Sequence, residues 1–363
     1  MTSLRRLWLQ CHRWVALTLG GILVLSGLTG ALLVVAPPID RWLHADYFVA
    51  ASSEDKTPVS LELLRQRLAS EFGPDAALTF RPPRQAGDTL QVTVRGSWVG
   101  TVYLHPSSGV EQGRRGANAS VVALLHGFHS NLWLQQTGKA VLAWVALAYL
   151  VLLVSGLVLW WPRKWPPSFR MVLDKGSLRA LFDIHRTGGV LLALFLAVSV
   201  ATGAYLVWRP IGGWISWVSG AAPVTAPALP PGSGKALPLD DLVARAQAVF
   251  PDGRIGFVLY KPNLDKPLAI RMDLPDDPHP NGRSNVWLDP RSGAVLAAHR
   301  WSEQDPGTKI NSYVFPLHTG ELGGVPLQVV VTLLGVALVI LGGSGIGLWW
   351  TRRAVRRRAF VVK

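Results

Sequence analysis

Residues 128–134 read Phe128-His129-Ser130-Asn131-Leu132-Trp133-Leu134 and stand just ahead of an apolar run, Ala140–Trp161. A second stretch, Pro316-Leu317-His318-Thr319-Gly320, stands in the same way ahead of Val325–Trp350. The two segments align without a gap. His129 falls on His318, Ser155-Gly156 on Ser344-Gly345, and Trp160-Trp161 on Trp349-Trp350. A histidine that recurs at one depth beside two apolar runs implies a shared task at both.

Four runs are long enough to span a bilayer, about 20 residues each: Val15–Ala36, Ala140–Trp161, Gly188–Trp208 and Val325–Trp350. The chain has 363 residues, of which 49% are hydrophobic, and a formal net charge of +14. Nearly all of that charge lies in the ends and the short loop. Arg5, Arg6, Arg13, Arg163, Lys164, Arg170, Lys175, Arg179, Arg186, Arg352, Arg353, Arg356, Arg357, Arg358 and Lys363 face only Asp174 and Asp183. The two long loops are close to neutral. This asymmetry places both termini and the short loop in the cytoplasm, with both long loops outside. It also accounts for the high isoelectric point without nucleic acid. The first run exceeds the core of a signal peptide, and Pro37 would follow a cut after Ala36, so it reads as a retained helix. The single cysteine, Cys11, leaves the outer loops without disulfides.

The second half repeats the first. Cys11-His12-Arg13 aligns with Ile184-His185-Arg186, Ser26 with Ser199, and Thr29-Gly30-Ala31 with Thr202-Gly203-Ala204. In the outer loops, Val102–Gly109 resembles Val286–Gly293, with His105 facing Asp289. Matched blocks in one order point to a duplication with parallel repeats. The expected organisation is a helix within 1–36, an outer α+β module over 37–125, a helix over 126–161, a loop at 162–184, a helix over 185–209, a second module over 210–316, a helix over 317–351 and a basic tail, 352–363. Helices are expected at Pro58–Glu71 and Leu239–Val249. Strands are expected at Leu90–Val94, Trp98–Leu104, Ile255–Tyr260, Leu268–Met272 and Asn285–Leu288, with a linker at 220–238.

The histidines carry the chemistry. His12 and His185 begin the two outward-running helices, and His129 and His318 precede the two inward-running ones. A four-helix bundle would thus offer one pair per face, and paired imidazoles from facing helices are the usual axial ligands of a b-type haem. His126, one turn before His129, could replace it or stand beside it. Arg13 and Arg186 are placed to meet haem propionates. Gly20-Gly21, Gly27, Gly30, Gly188-Gly189, Gly203 and Gly342-Gly343 would give room for a flat ring, although small residues also simply pack helices. His44, His105, His279 and His299 read as surface residues. Trp8, Trp14, Trp160, Trp161, Trp165, Trp208, Trp349 and Trp350 form an interfacial belt. Trp144 and Tyr149 lie deeper, where they could shorten an electron path. From His12 to Ala36 is roughly 36 Å of helix, a long reach between faces. No Cys-x-x-Cys-His, zinc spacing or catalytic serine motif is present.

Taken together, these motifs resemble one family. His-Arg at the start of a helix that ends in Thr-Gly-Ala, an outer module closing in Pro-x-Ser-Gly, and Leu/Phe-His before a helix ending Ser-Gly-Leu-Val-Leu-Trp-Trp are similar to the PepSY-associated transmembrane proteins. That family includes inner-membrane reductases of ferric siderophores with two b-type haems in four helices. The resemblance covers nearly the whole chain. It implies two PepSY-like periplasmic modules, two haems held by His12 with His185 and by His129 with His318, and reduction of a ferric siderophore in the periplasm. The copies differ after the arginine, with Trp14-Val15 in one and Thr187-Gly188 in the other. The electron donor would come from outside the chain, as quinol, reduced flavin or a small redox protein. Two other readings stand beside this one: a haem-free anchored pair of peptide-binding or peptidase-regulating modules, and a two-haem cytochrome that serves a partner protein.

Overall fold

The computed structural model describes residues 3–52, 57–162, 164–208 and 210–361, the last without the side chains of 356–361. Arg163, Lys363 and the side chains of Arg356, Arg357 and Arg358, all part of the basic tally above, lie outside the described residues. The chain divides into two units. One comprises Met1–Val35, Leu125–Arg209 and Leu317–Lys363, and the other comprises Ala36–Leu124 and Pro210–Pro316.

The first unit is helical. Four helices are long and apolar enough to cross a membrane: Ser3–Leu43, Gln135–Trp160, Ser177–Val207 and Glu321–Val355. The first is α1, Ser3–Leu43. The second expected span is broken in two. Helix α4, Val121–Asn131, carries His126 and His129, and α5, Gln135–Trp160, makes the crossing. Leu132, Trp133 and Gln135 at the break take positive φ, which residues with a Cβ rarely do. The third span joins α6, Ser177–Asp183, to α7, Gly189–Val207, through a π turn at Ile184–Gly188 that carries His185. The fourth is α11, Gly324–Val361, preceded by α10, Pro306–Thr319, which carries His318 in its last turn. The bend between α10 and α11 uses left-handed Gly320 and Gly324, where no Cβ strain arises.

Small residues let α1 and α11 approach. A Cβ on Gly27 would lie 3.1 Å from the Gly335 carbonyl, and one on Gly342 would strike the Val24 side chain. Gly27 and Gly342, read from sequence as room for a ring, therefore serve helix packing. Leu23, Val145, Tyr149, Leu196, Leu334 and Leu341 form the apolar core of this unit. Of the two aromatic residues expected at depth along the span, Tyr149 joins this core and Trp144 is 71% exposed.

The second unit is α+β. Strands β1 (Ala77–Arg81), β2 (Leu90–Arg95), β3 (Val99–Leu104) and β4 (Glu111–Gly116) come from the first loop. Strands β5 (Arg254–Tyr260), β6 (Leu268–Asp273), β7 (Ser284–Leu288) and β8 (Val295–His299) come from the second. They form one antiparallel sheet in the order β4-β3-β2-β1-β5-β6-β7-β8. The two loops, read from sequence as separate modules, are joined by β1 and β5, with Leu78 opposite Tyr260 and Phe80 opposite Val258. Alternate residues of β2 and β6 turn inward onto α3, Leu61–Phe72, and α9, Leu239–Val249. Leu64, Leu68, Phe80 and Val92 share a single core with Leu242, Ala246, Val258 and Ile270. Edge strand β4 contains no large apolar residue, which hid it from the pattern and blunts an open edge.

Two short helices and two single 3-10 turns, Trp301–Glu303 and Glu321–Gly323, complete the described elements. Helix α1 runs on through Pro37 and Pro38, past its expected end, and the turn beyond is held by Arg115–Asp40 and Arg41–Asp88, each at 2.7 Å. Helices α2, Ala45–Phe48, and α8, Pro210–Val218, follow the first and third spans and have no counterpart in the sequence reading. His105 and His279, taken as surface residues, are buried. His105 Nδ1 accepts the amides of Ser107 and Ser108, as Asp289 accepts that of Arg291. An imidazole can thus replace a carboxylate at this turn. His279 stacks on Phe315, and burial, with Arg283, Arg271 and Arg84 nearby, pulls its pKa down to about 3.

The helices α3 and α9 cap each other. Asp240 accepts the amides of Leu61 and Glu62, and Glu62 accepts the amide of Leu239. Asp240→Ala should cost about 1–2 kcal/mol, read as a lower thermal midpoint of the full-length protein. The hydrogen bond from Arg65, with help from Gln66 and Leu239, outweighs burial and holds Glu62 below its usual value of 4.5. A depressed carboxylate contributes stability that is complete above its unfolded pKa and is lost as pH falls through the folded value. Glu62→Gln should therefore lower stability at pH 7 and flatten its decline below pH 4.5, measured by chemical denaturation across that range.

Candidate functional site

Four histidines converge in two pairs. The ring centroids of His12 and His185 are 6.1 Å apart with planes at 81°, and those of His129 and His318 are 6.1 Å apart with planes at 35°. Each pair takes one member from each half of the chain. Two imidazoles that share one metal, each nitrogen about 2 Å from it, put their centroids roughly 6 Å apart.

Each ring rests on a neighbouring helix in the same way. His12 Nδ1 lies 2.9 Å from Ser155 Oγ. His129 Nδ1 lies 3.0 Å from the Ser26 carbonyl and 3.2 Å from Thr29 Oγ1. His185 Nδ1 lies 2.9 Å from the Leu341 carbonyl and 3.3 Å from Ser344 Oγ. His318 Nδ1 lies 2.9 Å from Thr202 Oγ1. The carbonyls of Leu152 and Ser199 also bond to His12 and His318. A carbonyl, a hydroxyl three residues on and a glycine one further share one helix face, which is why the set can receive a ring. The glycine matters at closest approach. A Cβ on Gly30, Gly203, Gly345 or Gly156 would stand 2.9, 3.0, 3.2 or 3.5 Å from Cε1 of its histidine.

This arrangement fixes the tautomer. Carbonyl oxygens only accept, so Nδ1 of His129 and His185 must carry the proton. The four hydroxyls spend their own protons on helix carbonyls: Ser155 on Leu152, Thr29 on Leu25, Ser344 on Leu341 and Thr202 on Val198 and Ser199. Each must then accept from its histidine. All four neutral rings are Nδ1–H tautomers with the lone pair on Nε2, the state of an imidazole ready to bind a metal.

Among the described residues no three histidine, cysteine or acidic side chains gather as a metal site. A bare zinc ion usually takes at least three protein ligands. Two nitrogens, one from each ring of a pair, suit a metal that brings its equatorial ligands with it.

The other expected site residues have local contacts of their own. His126 is exposed one turn before His129, outside the His129/His318 ring contact. Arg186 is engaged by Asp183 at 3.5 Å and by the Arg170 carbonyl at 3.2 Å. Arg13 lies against the Trp14 ring. Of the expected slot glycines, Gly30 and Gly203 seat histidines, while Gly20, Gly21, Gly189 and Gly343 border open space. The sequence reading aligned Ser155-Gly156 with Ser344-Gly345 but did not assign them to the rings. The missed signal was a hydroxyl-glycine pair opposite every recurrent histidine.

The spacing of the pairs is shorter than the full span. From His12 to Leu28 on α1, and from His185 to Ala201 on α7, is about 24 Å of helix. Leu23, Val145, Tyr149, Leu196 and Leu334 fill the core between these levels.

The family described as the PepSY-associated TM region matches residues 9–352. The chain belongs to this family. No curated protein matches it. As a PepSY-associated chain with four apolar helices it is a multi-pass membrane protein, and both histidine pairs fall within the matched region.

The tautomer assignment can be measured directly. Nitrogen-15 spectra of histidine-labelled, metal-free protein at neutral pH should show four Nδ1–H rings that disappear one at a time in His12→Gln, His129→Gln, His185→Gln and His318→Gln. An Nε2–H signature at any of the four would contradict the seat geometry.

Proposed function

We propose that this PepSY-associated protein is a di-haem reductase of the bacterial inner membrane that carries electrons outward and reduces a ferric siderophore in the periplasm. The observation that supports this most is the imidazole pair at each of two levels, with ring centroids 6.1 Å apart and all four rings protonated on Nδ1. His12 and His185 would hold the inner b-type haem, and His129 and His318 the outer one. A bound haem supplies one-electron chemistry at a potential tuned by its ligands and their hydrogen bonds.

The roles of this chain's own residues follow from the geometry. The four histidines offer Nε2. The serine, threonine and glycine seats orient the rings and raise their basicity through the Nδ1–H bond. The apolar core between the levels excludes water. In this reading the halves are parallel repeats, both termini are cytoplasmic, and the sheet unit is periplasmic and PepSY-like. The donor, quinol or reduced flavin, gives up electrons on the cytoplasmic side or in the membrane. Ferric iron in the chelate takes one electron and becomes ferrous. Hard oxygen ligands hold ferrous iron less tightly, so the chelate releases it.

Pyridine haemochrome assay of protein purified from haem-replete cells should give two haems per chain. His185→Ala should leave one, and the Gly30→Ala/Gly203→Ala double variant should lose the other. A folded, colourless preparation would overturn the proposal. Reduced protein should be reoxidised by a ferric siderophore at least about tenfold faster than by its iron-free form, a difference of about 1.4 kcal/mol in barrier. Indifference to the chelate would remove the reductase claim and keep the haems.

A further inference from the structure

We infer that the hydroxyl-glycine seats are positioning residues that hold the two ligand pairs at different ring-plane angles, making the inner and outer centres electronically unlike. The inference rests on the di-haem reading. It adds which residues set the character of each centre.

The angles differ widely, 81° for His12/His185 and 35° for His129/His318. The backbone supplies a reason. The outer histidines both occupy the last turn of a short helix, α4 or α10, and both rest on a threonine-glycine seat. The inner histidines do not match. His12 is in a regular α-helix, whereas His185 is in the π turn, where an extra residue in the turn changes the direction of the side chain. Both inner seats use serine, so the difference arises in the helix that carries each ring.

A ring in such a seat has little freedom to turn. Rotation about its bond to the backbone would break the Nδ1–H bond, and the seat glycine lies against Cε1. The angle is therefore a property of the folded chain and is imposed on what the rings bind. Imidazole donates π density to a metal orbital perpendicular to its own plane. Two nearly perpendicular rings act on two different orbitals and leave them close in energy. Two rings nearer to parallel act largely on the same orbital and split the pair.

The test is electron paramagnetic resonance of the oxidised, haem-loaded full-length protein. Two low-spin ferric signals are expected, one highly anisotropic with a single low-field feature and one rhombic with three resolved features. Ser155→Ala should shift or remove only the anisotropic signal, and Thr202→Val only the rhombic one. Ser155→Thr, which keeps the hydroxyl, should retain the wild-type spectrum. Haem content of each variant is measured alongside. Two haems with signals of one type in the wild type would overturn the inference while leaving the di-haem reading intact. So would a seat variant that retains both haems and both unaltered signals, or one that perturbs the wrong signal. Zero haem in the wild type would instead remove the reading beneath it.

Discussion

The membrane unit depends on one repeated contact: an imidazole Nδ1–H held by a carbonyl and a hydroxyl of the helix beside it. In water such a contact would be weak. Within an apolar bundle a buried polar group without a partner costs several kcal/mol, so each ring must be satisfied by the protein. The contacts are reciprocal inside each half. Helix α1 presents His12 to the seat on α5 and provides the seat for His129, which precedes α5. Helices α7 and α11 repeat the exchange with His185 and His318. Each half is thereby locked in register at two heights, and the pairs that face each other are formed only between halves.

The same exchange recurs in the sheet unit with different chemistry. There Asp240 and Glu62 each cap the helix of the other half. In the sheet unit polar groups at the junction of the halves specify how they meet, in the helical unit they set the register within each half, and in both apolar packing supplies the bulk of the attraction. The glycines divide accordingly. Those of the seats admit a ring, and Gly27, Gly335 and Gly342 admit another helix.

Much of this was legible in the sequence because matched blocks in the two halves double every signal. The four apolar runs, helix Leu239–Val249 and strands such as Leu90–Val94 follow from hydropathy period alone. Pairing of His12 with His185 and of His129 with His318 followed from recurrence at equal depth. Three features escaped for physical reasons. Strand β4 carries no large apolar side chain, so no period of two exists to detect. The break at Leu132–Leu134 lacks the glycines that mark its counterpart before α11, because Leu132, Trp133 and the adjoining Gln135 adopt positive φ despite their side chains. The union of the two loops into one sheet depends on β1 meeting β5, a tertiary pairing that leaves no local trace.

The pairing of β1 with β5 also orders the biogenesis of the protein. Synthesis proceeds from the N-terminus, so β1 to β4 emerge and fold while β5 is still unmade. Until two further helices have been inserted, the inner border of that half-sheet, Ala77–Arg81, has no permanent neighbour. Its Leu78 and Phe80, fully buried at completion, would stand at an unprotected margin able to recruit another nascent chain. Polar β4 guards the border that remains open for life, and only the arrival of the second half closes the other.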